Sequence, residues 1–247
     1  MYLVDTHCHV DLYPDYLAVI EEVEREKIAT IAVTTTPSVF RACQELTDKK
    51  RFVRPALGFH PELAYQRQSE LGILRELFGE TRYIGEVGLD FITTDQPNRK
   101  AQRSVFDTVL EECAHYGDKI VTIHSRRAAA EVVEMIGPDF PASMILHWFS
   151  GSPGVLETAL AYGCYFSVNP AMIASEAGRR IVSRIPKERL LTESDGPFVS
   201  VEKRPAKPSD ISVVFPVLAG LWHTDTEQVA TIVYENFRRL LQTKRPG

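Results

Sequence analysis

The sequence predicts an α/β protein built as a (β/α)8 barrel, or TIM barrel, in which eight parallel strands alternate with helices. Three observations support this fold. Short apolar runs rich in β-branched residues alternate eight times with longer segments of helical periodicity. The length of 247 residues suits one barrel, and no linker or internal repeat divides residues 1–247 into more than one domain. Polar residues of metal-ligand type follow the apolar runs, where such a barrel carries its catalytic groups.

The apolar runs and the periodic segments give the predicted elements in chain order. The predicted strands are Leu3–His9, Ile28–Thr34, Val53–Phe59, Tyr83–Val87, Lys119–His124, Met144–His147, Cys164–Val168 and Leu190–Glu193. The predicted helices are Asp15–Glu26, Val39–Asp48, Ser69–Phe78, Arg99–His115, Ala128–Ile136, Pro153–Tyr162, Glu176–Arg184 and Thr226–Leu241. The polar stretch with Pro205 and Pro208 predicts a long loop rather than a domain boundary.

An open, doubly wound sheet is the alternative fold for this alternation of strands and helices. That fold would place a Gly-rich phosphate loop after the first strand, but the sequence there is Asp5-Thr6-His7-Cys8-His9. The barrel is therefore the preferred prediction.

Composition excludes several classes of protein. With 44% hydrophobic and 25% charged residues, the chain is neither a disordered tail nor a disulfide-stapled miniature. The net charge of -5 gives no general attraction to polyanions, so nucleic-acid binding would need a local basic patch. The four cysteines are widely spaced and predict reduced, structural thiols. Neither a membrane-spanning run nor a signal-peptide pattern is visible, so we expect a cytoplasmic protein without a membrane partner.

Seven groups that commonly bind metals or move protons stand at the ends of predicted strands. They are His7, His9, His60, Glu86, His124, His147 and Asp195. His7 and His9 lie two residues apart on a strand, so both imidazoles face one side while Cys8 faces the other. Alone, this pair would fit a loop or a surface equally well. Together with the carboxylates and imidazoles at the other strand ends, it predicts metal ligation.

Six of these groups are too many for one tetrahedral ion, which predicts two divalent ions roughly 3.5–4 Å apart. The predicted ligands are His7, His9, Glu86, His124, His147 and Asp195. We expect Glu86 to bridge the ions, with Gly85 and Gly88 allowing close approach of the backbone. A salt bridge is the alternative role for Glu86, and a turn carboxylate before Gly196 is the alternative for Asp195. The four imidazoles favour Zn²⁺, Mn²⁺ or iron as the bound ion.

Roles in catalysis follow for two of the strand-end groups. Asp195 is expected to bind an ion and to accept the proton of the attacking water. His60 precedes Pro61, which favours extended backbone, and its imidazole is expected to lean over the site and donate a hydrogen bond to substrate. We expect Asp5 to accept a hydrogen bond near the histidines, and Glu193 to be structural and to face away from the site. The remaining histidines, His115 and His223, are expected outside it.

Six short motifs resemble the TatD family of metal-dependent nucleases, which belong to the metallo-dependent hydrolase barrels. They are Asp5-Thr6-His7-Cys8-His9, Gly58-Phe59-His60-Pro61, Gly85-Glu86-Val87-Gly88-Leu89-Asp90, Ile123-His124-Ser125-Arg126, His147-Trp148-Phe149-Ser150-Gly151 and Glu193-Ser194-Asp195-Gly196-Pro197. This resemblance implies hydrolysis of DNA phosphodiester bonds, a reaction that the family resemblance associates with Mg²⁺, so the two ions stay open among Mg²⁺, Mn²⁺ and Zn²⁺. The sequence departs from the family pattern at Trp148, where a small residue is usual, at Ser194, where Thr is usual, and over 201–208, which is usually rich in Arg and Asn.

Further segments resemble the TatD-type nuclease of the Qat anti-phage defence system. They are Ala32-Val33-Thr34-Thr35-Thr36-Pro37, Trp148-Phe149-Ser150-Gly151-Ser152 and Phe166-Ser167-Val168-Asn169-Pro170-Ala171-Met172. The resemblance implies partner proteins that include an ATPase, in a bacterial cytoplasm.

Cationic and aromatic residues near the strand ends predict contacts with a DNA substrate. Arg126 and Arg127 are expected to bind phosphate, with help from Lys203, Arg204 and Lys207. Four rings are expected to stack bases: Phe59, Phe91, Trp148 and Phe198. Because an unpaired end fits a pocket better than a duplex does, we expect single-stranded or frayed DNA as substrate.

Two other functions fit the same residues. A two-metal barrel can also hydrolyse small amides or esters. Alternatively, the chain could be a subunit of a defence complex in which catalysis is secondary.

Overall fold

The computed structural model describes residues 2–242 and shows the predicted (β/α)8 barrel. Its eight barrel strands are β1 (Val4–Cys8), β2 (Ala29–Val33), β3 (Val53–Ala56), β4 (Tyr83–Gly88), β5 (Ile120–His124), β6 (Ser143–His147), β7 (Tyr165–Val168) and β8 (Leu190–Thr192). Every strand overlaps its predicted run. Three strands, β1, β7 and β8, are buried along their whole length, and β2, β4, β5 and β6 are buried except at one end residue, as expected for a parallel sheet covered by helices.

The strands pair in parallel in the order of the chain. Ladders join β1 to β2, β2 to β3, and each strand from β4 to β8 to the next, with a register shift in the β1–β2 ladder and another in the β4–β5 ladder. A bridge between Leu57 and Ile84 connects the two ladders. The barrel closes between β8 and β1 just beyond the end of β8, where the Asp195 amide donates to the His7 carbonyl over 2.9 Å. Closure therefore brings two predicted site residues side by side.

The helices cover the outside of the barrel. They are α1 (Tyr16–Glu26), α2 (Phe40–Thr47), α3 (Leu71–Leu77), α4 (Gln96–Tyr116), α5 (Ala129–Ile136), α6 (Pro153–Ala161), α7 (Pro170–Ala174), α8 (Glu176–Val182), α9 (Phe215–Trp222) and α10 (Thr226–Leu240). None of the helices within residues 2–242 is long and apolar enough to cross a membrane.

The expectation of a long loop around Pro205 and Pro208 is wrong. A short hairpin forms there from β9 (Ser200–Val201) and β10 (Arg204–Pro205), followed by a 3-10 helix and then by α9. The α9 sequence is apolar on nearly every side, so it lacks the polar face that makes a helix visible in sequence. Its buried Leu218 contributes to the main core, on which α10 also packs.

The core is formed mainly by the layer between strands and helices. Its fully buried rings include Phe59, Phe106 and Phe166, so the prediction that Phe59 stacks a base is wrong. A smaller cluster under α1 contains Val19, Ile20 and Cys8. All four cysteines are free and buried, which agrees with the structural role predicted for them.

Candidate metal centre

The strand-end residues line one cavity at the carboxyl end of the barrel. It has a volume of about 430 Å³. Its walls are formed by His9, His60, Glu62, Glu86, Asp90, His124, Ser125, Arg126, His147, Trp148, Ser150, Asp195 and Phe198. His7 lies directly beneath and is fully buried, with its imidazole stacked on that of His147 at a centroid distance of 3.9 Å. His115 and His223 are exposed and lie outside this group.

The Glu86 carboxylate is the centre of the cluster, because five imidazoles approach its two oxygens. The distances to Oε1 are 2.6 Å from His124 Nδ1 and 3.3 Å from His147 Nε2. The distances to Oε2 are 3.2 Å from His9 Nε2, 3.4 Å from His60 Nε2 and 3.6 Å from His7 Nε2. Asp195 lies on the side of His7 and His9, with Oδ1 at 3.8 Å and 3.9 Å from their Nε2 atoms. The two oxygens of Glu86 thus face different sets of histidines.

Glycine permits the close backbone packing around Glu86. Gly85 has a φ of 155°, and a Cβ there would lie 2.1 Å from the Thr122 methyl carbon. Gly88 has a φ of 132°, and a Cβ there would lie 2.1 Å from the His124 carbonyl oxygen. Side chains at either position would therefore push β4 and β5 apart.

Three histidines are fixed from behind by an oxygen atom. His7 Nδ1 lies 2.7 Å from Thr122 Oγ1, and His124 Nε2 lies 2.8 Å from Asp90 Oδ2. His147 Nδ1 lies 3.3 Å from Glu193 Oε1. With a metal ion bound, each outer nitrogen would donate to its oxygen partner and leave the lone pair of the inner nitrogen for the ion. Without metal, the inner Nδ1 of His124 donates to Glu86 Oε1 over 2.6 Å. An outer acceptor of this kind is the usual partner of a metal-binding histidine.

His60 has the opposite arrangement. Its Nδ1 accepts a hydrogen bond from the Glu62 amide over 3.2 Å, so in the neutral ring the proton resides on Nε2. Nε2 is the atom that faces Glu86. In its neutral form, His60 therefore directs a donor into the cavity, whereas the oxygen partners of His7, His124 and His147 allow these rings to offer a lone pair to a metal ion.

Unpartnered buried nitrogens show that the cluster fits divalent cations. His7 Nε2 and both ring nitrogens of His9 are buried without a hydrogen-bond partner. Leaving such atoms unpaired is unfavourable unless another group satisfies them. The ligand atoms of His7, His9 and Asp195 lie within 4.8 Å of one another, as do those of His60, Glu86 and His124. The residues present thus suit a metal centre.

Burial and neighbouring charges shift several pKa values. Burial opposes ionisation of Glu86, but His60, His7 and His124 outweigh it and hold the pKa of this carboxyl well below its usual value. Burial raises the pKa of Asp195 to about 7. Burial also disfavours the His124 imidazolium, yet Glu86 and Asp90 overcome this and raise its pKa to about 9. For His7, burial prevails and lowers the pKa to about 3.

Comparison with known proteins identifies the family. A model of TatD related DNases matches residues 4–242. The chain belongs to this family. It is 30% identical over 255 residues to the uncharacterized metal-dependent hydrolase YabD of Bacillus subtilis, an alignment that covers 97% of this chain and 99% of the relative. It is 26% identical over 264 residues to the human deoxyribonuclease TATDN3, with 98% and 96% covered. The protein is thus a metal-dependent hydrolase of the TatD DNase family.

Solved structures share the fold of this TatD-family barrel. The TatD homolog YJJV of Escherichia coli superposes with a TM-score of 0.84 at 24% identity, covering 96% of this chain and 97% of that one. A dihydroorotase of Campylobacter jejuni superposes with a TM-score of 0.60 at 13% identity, covering 100% and 85%.

Sequence reasoning missed two carboxylates of this TatD-family site. Glu193 was expected to face away, but this is wrong, because it is fully buried and accepts from His147 Nδ1, from the Trp148 amide over 3.0 Å and from Asn169 over 2.9 Å. Strand β8 ends at Thr192, so strand alternation does not predict the direction of the next side chain. Asp90, which holds His124, also received no role; its position in a motif shared with Glu86 was the available signal.

Asp5 accepts hydrogen bonds but not from a metal-site imidazole. Its Oδ1 accepts from the amides of His7 over 3.1 Å and Ser194 over 3.0 Å, and its Oδ2 accepts from the Ser194 hydroxyl over 2.6 Å. The carboxylate therefore ties β1 to the segment that carries Asp195.

The predicted substrate-binding residues fall into two groups. Arg126, Trp148 and Phe198 line the cavity, and the two rings are 38% and 62% exposed. Arg127 is exposed but is not part of the cavity wall. Phe91 is partly buried and packs under the guanidinium groups of Arg99 and Arg103, at 4.7 Å and 4.9 Å from the ring centroid, so stacking on a base would have to displace them.

The loop cations expected to help bind phosphate are mostly neutralised. Arg204 forms a two-pronged ion pair with Asp210, and Lys207 pairs with Glu22 over 3.0 Å. Lys203 is exposed. The positive charge at the cavity mouth therefore comes mainly from Arg126.

Proposed function

We propose that this protein hydrolyses DNA phosphodiester bonds with two divalent ions, acting on single-stranded or frayed ends. The observation that carries the proposal is the arrangement around Glu86. One oxygen faces the inner nitrogens of His124 and His147, and the other faces those of His7 and His9. A carboxylate between two sets of ligands is the arrangement expected of a bridge between two ions.

The proposed ligands divide accordingly. His7, His9 and Asp195 with Glu86 would hold one ion, and His124 and His147 with Glu86 would hold the other. When bound, such ions supply Lewis-acid stabilisation of phosphate charge and make water more acidic.

Asp195 is the proposed acceptor of the proton from the attacking water. The residue is 5% exposed and lies in the cavity wall. A hydrogen bond from its backbone amide to the His7 carbonyl fixes its position. Burial raises its pKa to about 7, which is close to the range in which a carboxylate is an effective base at neutral pH.

His60 is the proposed hydrogen-bond donor to a phosphate oxygen. The Glu62 amide occupies Nδ1, so the Nε2 proton is directed into the cavity. A donor placed there stabilises charge that develops on the phosphate during reaction.

The mouth of the cavity supports an unpaired strand as substrate. Trp148 and Phe198 are exposed rings next to the proposed ligands, and the Phe198 ring meets His9 edge-on at 5.0 Å. Exposed rings can stack on bases of any sequence, which suits a strand whose bases are unpaired.

The proposal is tested by comparing labelled single-stranded, frayed and blunt duplex DNA as substrates, with simple esters and cyclic amides alongside. We expect metal-dependent cleavage of DNA that favours unpaired ends. Asp195→Asn keeps the shape but removes the proton acceptor, so it should fold normally and cleave at least about a hundredfold more slowly. Activity of this variant within tenfold of the parent, or hydrolysis of the small substrates alone, would contradict the proposal.

The defence role implied by the Qat resemblance stays a prediction. We expect co-expressed Qat proteins, including the ATPase, to co-purify with this chain. The protection of cells should fail with Glu86→Ala if catalysis matters, and persist if the chain acts only as a subunit.

A further inference from the structure

A second pocket lies at the end of the barrel opposite the metal centre. It is formed by residues that precede three strands and by one face of α10, and its volume is about 240 Å³. Its lining is Tyr2, Lys27, Ala29, Arg51, Phe52, Tyr234, Phe237, Arg238 and Leu241. We call it the basal pocket. Because β1, β2 and β3 are parallel, the residues before them meet at one end, and the carboxyl ends with the metal centre lie at the other.

The basal pocket is positively charged. Lys27, Arg51 and Arg238 line it, and no acidic residue does so among residues 2–242. The ion pairs of that part of the chain include none of these three side chains, which are all exposed. Of the two acids that most closely precede Lys27 on α1, Glu26 pairs with Arg25 over 3.1 Å. The Glu24 carboxylate accepts from the amides of Arg51 and Phe52 over 3.0 Å and 2.6 Å. A concentration of unpaired cations is unexpected on a chain of net charge -5.

Aromatic rings make up much of the remaining wall. Tyr2 and Tyr234 stack at a centroid distance of 5.0 Å and an interplanar angle of 21°. The Phe52 ring lies 5.6 Å from the Arg51 guanidinium carbon, and Phe237 is nearly buried. Residues 234, 237, 238 and 241 follow the spacing of one helix face, so α10 places rings and a cation side by side.

The C-terminal end of α10 lies next to the basal pocket, and the partial negative charge of a helix C-terminus disfavours a bound anion. Its carbonyl groups carry partial negative charge, but Arg82 donates to the Leu241 carbonyl over 2.8 Å. This hydrogen bond offsets part of the negative charge at that end of the helix.

We propose that the basal pocket binds a nucleotide, with the phosphate on the cations and the base against the rings. Guanidinium and ammonium groups are the usual partners of phosphate, and aromatic faces are the usual partners of bases. The volume is below the roughly 300–1000 Å³ of pockets for larger ligands, which limits the occupant to about one nucleotide. The same chemistry is offered by a free mononucleotide and by one nucleotide within a DNA strand.

The test is titration calorimetry of the full-length protein with dAMP, deoxyadenosine and inorganic phosphate. We expect dAMP to bind at least about tenfold more tightly than either fragment. Arg238→Ala and Arg51→Ala should each weaken dAMP binding by about tenfold or more, and they lie on different elements, so a local change in α10 cannot explain both. Arg239→Ala, an exposed neighbour outside the pocket wall, is the matched control and should bind dAMP like the parent.

Equal dAMP affinity of Arg238→Ala and Arg239→Ala overturns the proposal, as does the absence of dAMP binding. Phosphate binding as tightly as dAMP also overturns it, because the rings would then contribute nothing. A (dA)4 oligonucleotide, titrated with chelator present, identifies the source. If it binds about tenfold more tightly than dAMP and still depends on Arg238, the natural occupant is a strand; otherwise it is the free nucleotide. The measurement records binding and not cleavage, so it is independent of the proposed nuclease activity.

Discussion

The bottom and the mouth of the metal-site cavity are built in different ways. The bottom consists of His7, His9, Glu86, His147 and Asp195, none more than 5% exposed. A polar atom of each lies within 4 Å of a polar atom of at least one other member. The mouth consists of Arg126, Trp148 and Phe198, all exposed, with the Trp148 ring 38% and the Phe198 ring 62% accessible. One region is a closed network of charges, and the other is a set of separate side chains.

This difference predicts which properties of the enzyme a substitution in each region will alter. A charged or polar group in the bottom depends on its neighbours, because burial without partners is costly. Substitution there should affect metal binding and chemistry together. A side chain in the mouth depends on few neighbours, so its substitution should change substrate affinity alone. Five predictions test this division.

The largest effect is expected for Glu86→Ala. Loss of the carboxylate that faces every imidazole of the site should reduce DNA cleavage by about four orders of magnitude or more, with folding retained, since core volume hardly changes. Glu62→Ala removes an exposed carboxylate from the same cavity and serves as the control, with activity close to the parent. Cleavage rates, metal content and circular dichroism measure the outcome. Near-normal turnover of Glu86→Ala with both ions retained would show that Glu86 is not the bridging ligand.

Substitution of His60 is predicted to affect catalysis, like the bottom of the site, but to leave metal binding unchanged, like the mouth. Because it presents a proton rather than a lone pair, His60→Ala should keep its metal content and lose roughly 10²–10³-fold in turnover, the effect of one positioned donor. His124→Ala, which removes an inner acceptor, should lose metal instead. Elemental analysis of both variants distinguishes a hydrogen-bond donor from a metal ligand. If His60→Ala binds one ion fewer than the parent, His60 is a ligand.

After metal removal, the stability of the protein should depend on pH through the charged groups at the bottom of the site. In chelated protein, Glu86 and Asp90 raise the pKa of His124 to about 9. A raised histidine pKa stabilises the fold fully below about pH 6.5, and this stability is lost as pH rises through about 9. The shift corresponds to roughly 3 kcal/mol, or a fall of about 5–10 °C in Tm between pH 6.5 and 10.

Thermal unfolding across this pH range measures the effect, and Asp90→Asn should reduce it, because one of the two carboxylates that raise the His124 pKa is gone. Added divalent ions should reverse the trend, since neutral imidazoles bind metal and protonated ones do not. A flat Tm profile of the chelated parent would contradict this account of His124.

The mouth residues should affect binding more than chemistry. Phe198→Ala and Trp148→Ala should each weaken binding of single-stranded DNA by about 1–3 kcal/mol if they stack on bases, with kcat nearly unchanged. Steady-state kinetics separate the two parameters. Tyr65→Ala, which removes a half-exposed ring outside the walls of both pockets, is the control for loss of a ring. A fall in kcat without a rise in KM would place these rings with the bottom of the site.

The smallest effect concerns salt. With few free cations at the mouth, the dependence of DNA affinity on salt should correspond to about two to four phosphate contacts. Arg126→Ala should reduce the slope by roughly 0.7, the value for one contact with a single strand, and Arg127→Ala, outside the cavity wall, should reduce it less. Affinity measured at several salt concentrations provides the slope. A slope equal to eight or more contacts would indicate a basic surface elsewhere.

The sequence predicts the bottom of the site better than the mouth, for a physical reason. Each of His7, His124 and His147 ends a strand, and barrel geometry alone brings strand ends together. Glu193 and Asp195 follow β8, where the chain turns, so alternation along a strand no longer indicates direction. Glu193 was misjudged for this reason.

Burial and pairing of the other side chains predicted to contact DNA depend on contacts distant in sequence. The Arg204–Asp210 and Lys207–Glu22 ion pairs, the burial of Phe59 and the packing of Phe91 under two arginines are all set by tertiary structure. The apolar α9 was missed because it has no polar face. The strands and the convergence of their ends could be predicted, whereas which charges remain free could not.

The backbone of Trp148 has a consequence for how this site can evolve. Its φ of 40° lies in the left-handed region, and its amide is anchored by Glu193, the same carboxylate that holds His147. Neither property involves the indole. The left-handed φ disfavours β-branched side chains at this position, but the hydrogen bond that holds the peptide does not depend on which other side chain is present. If the indole contacts substrate as proposed, its exchange would change substrate range while the adjoining histidine keeps its alignment.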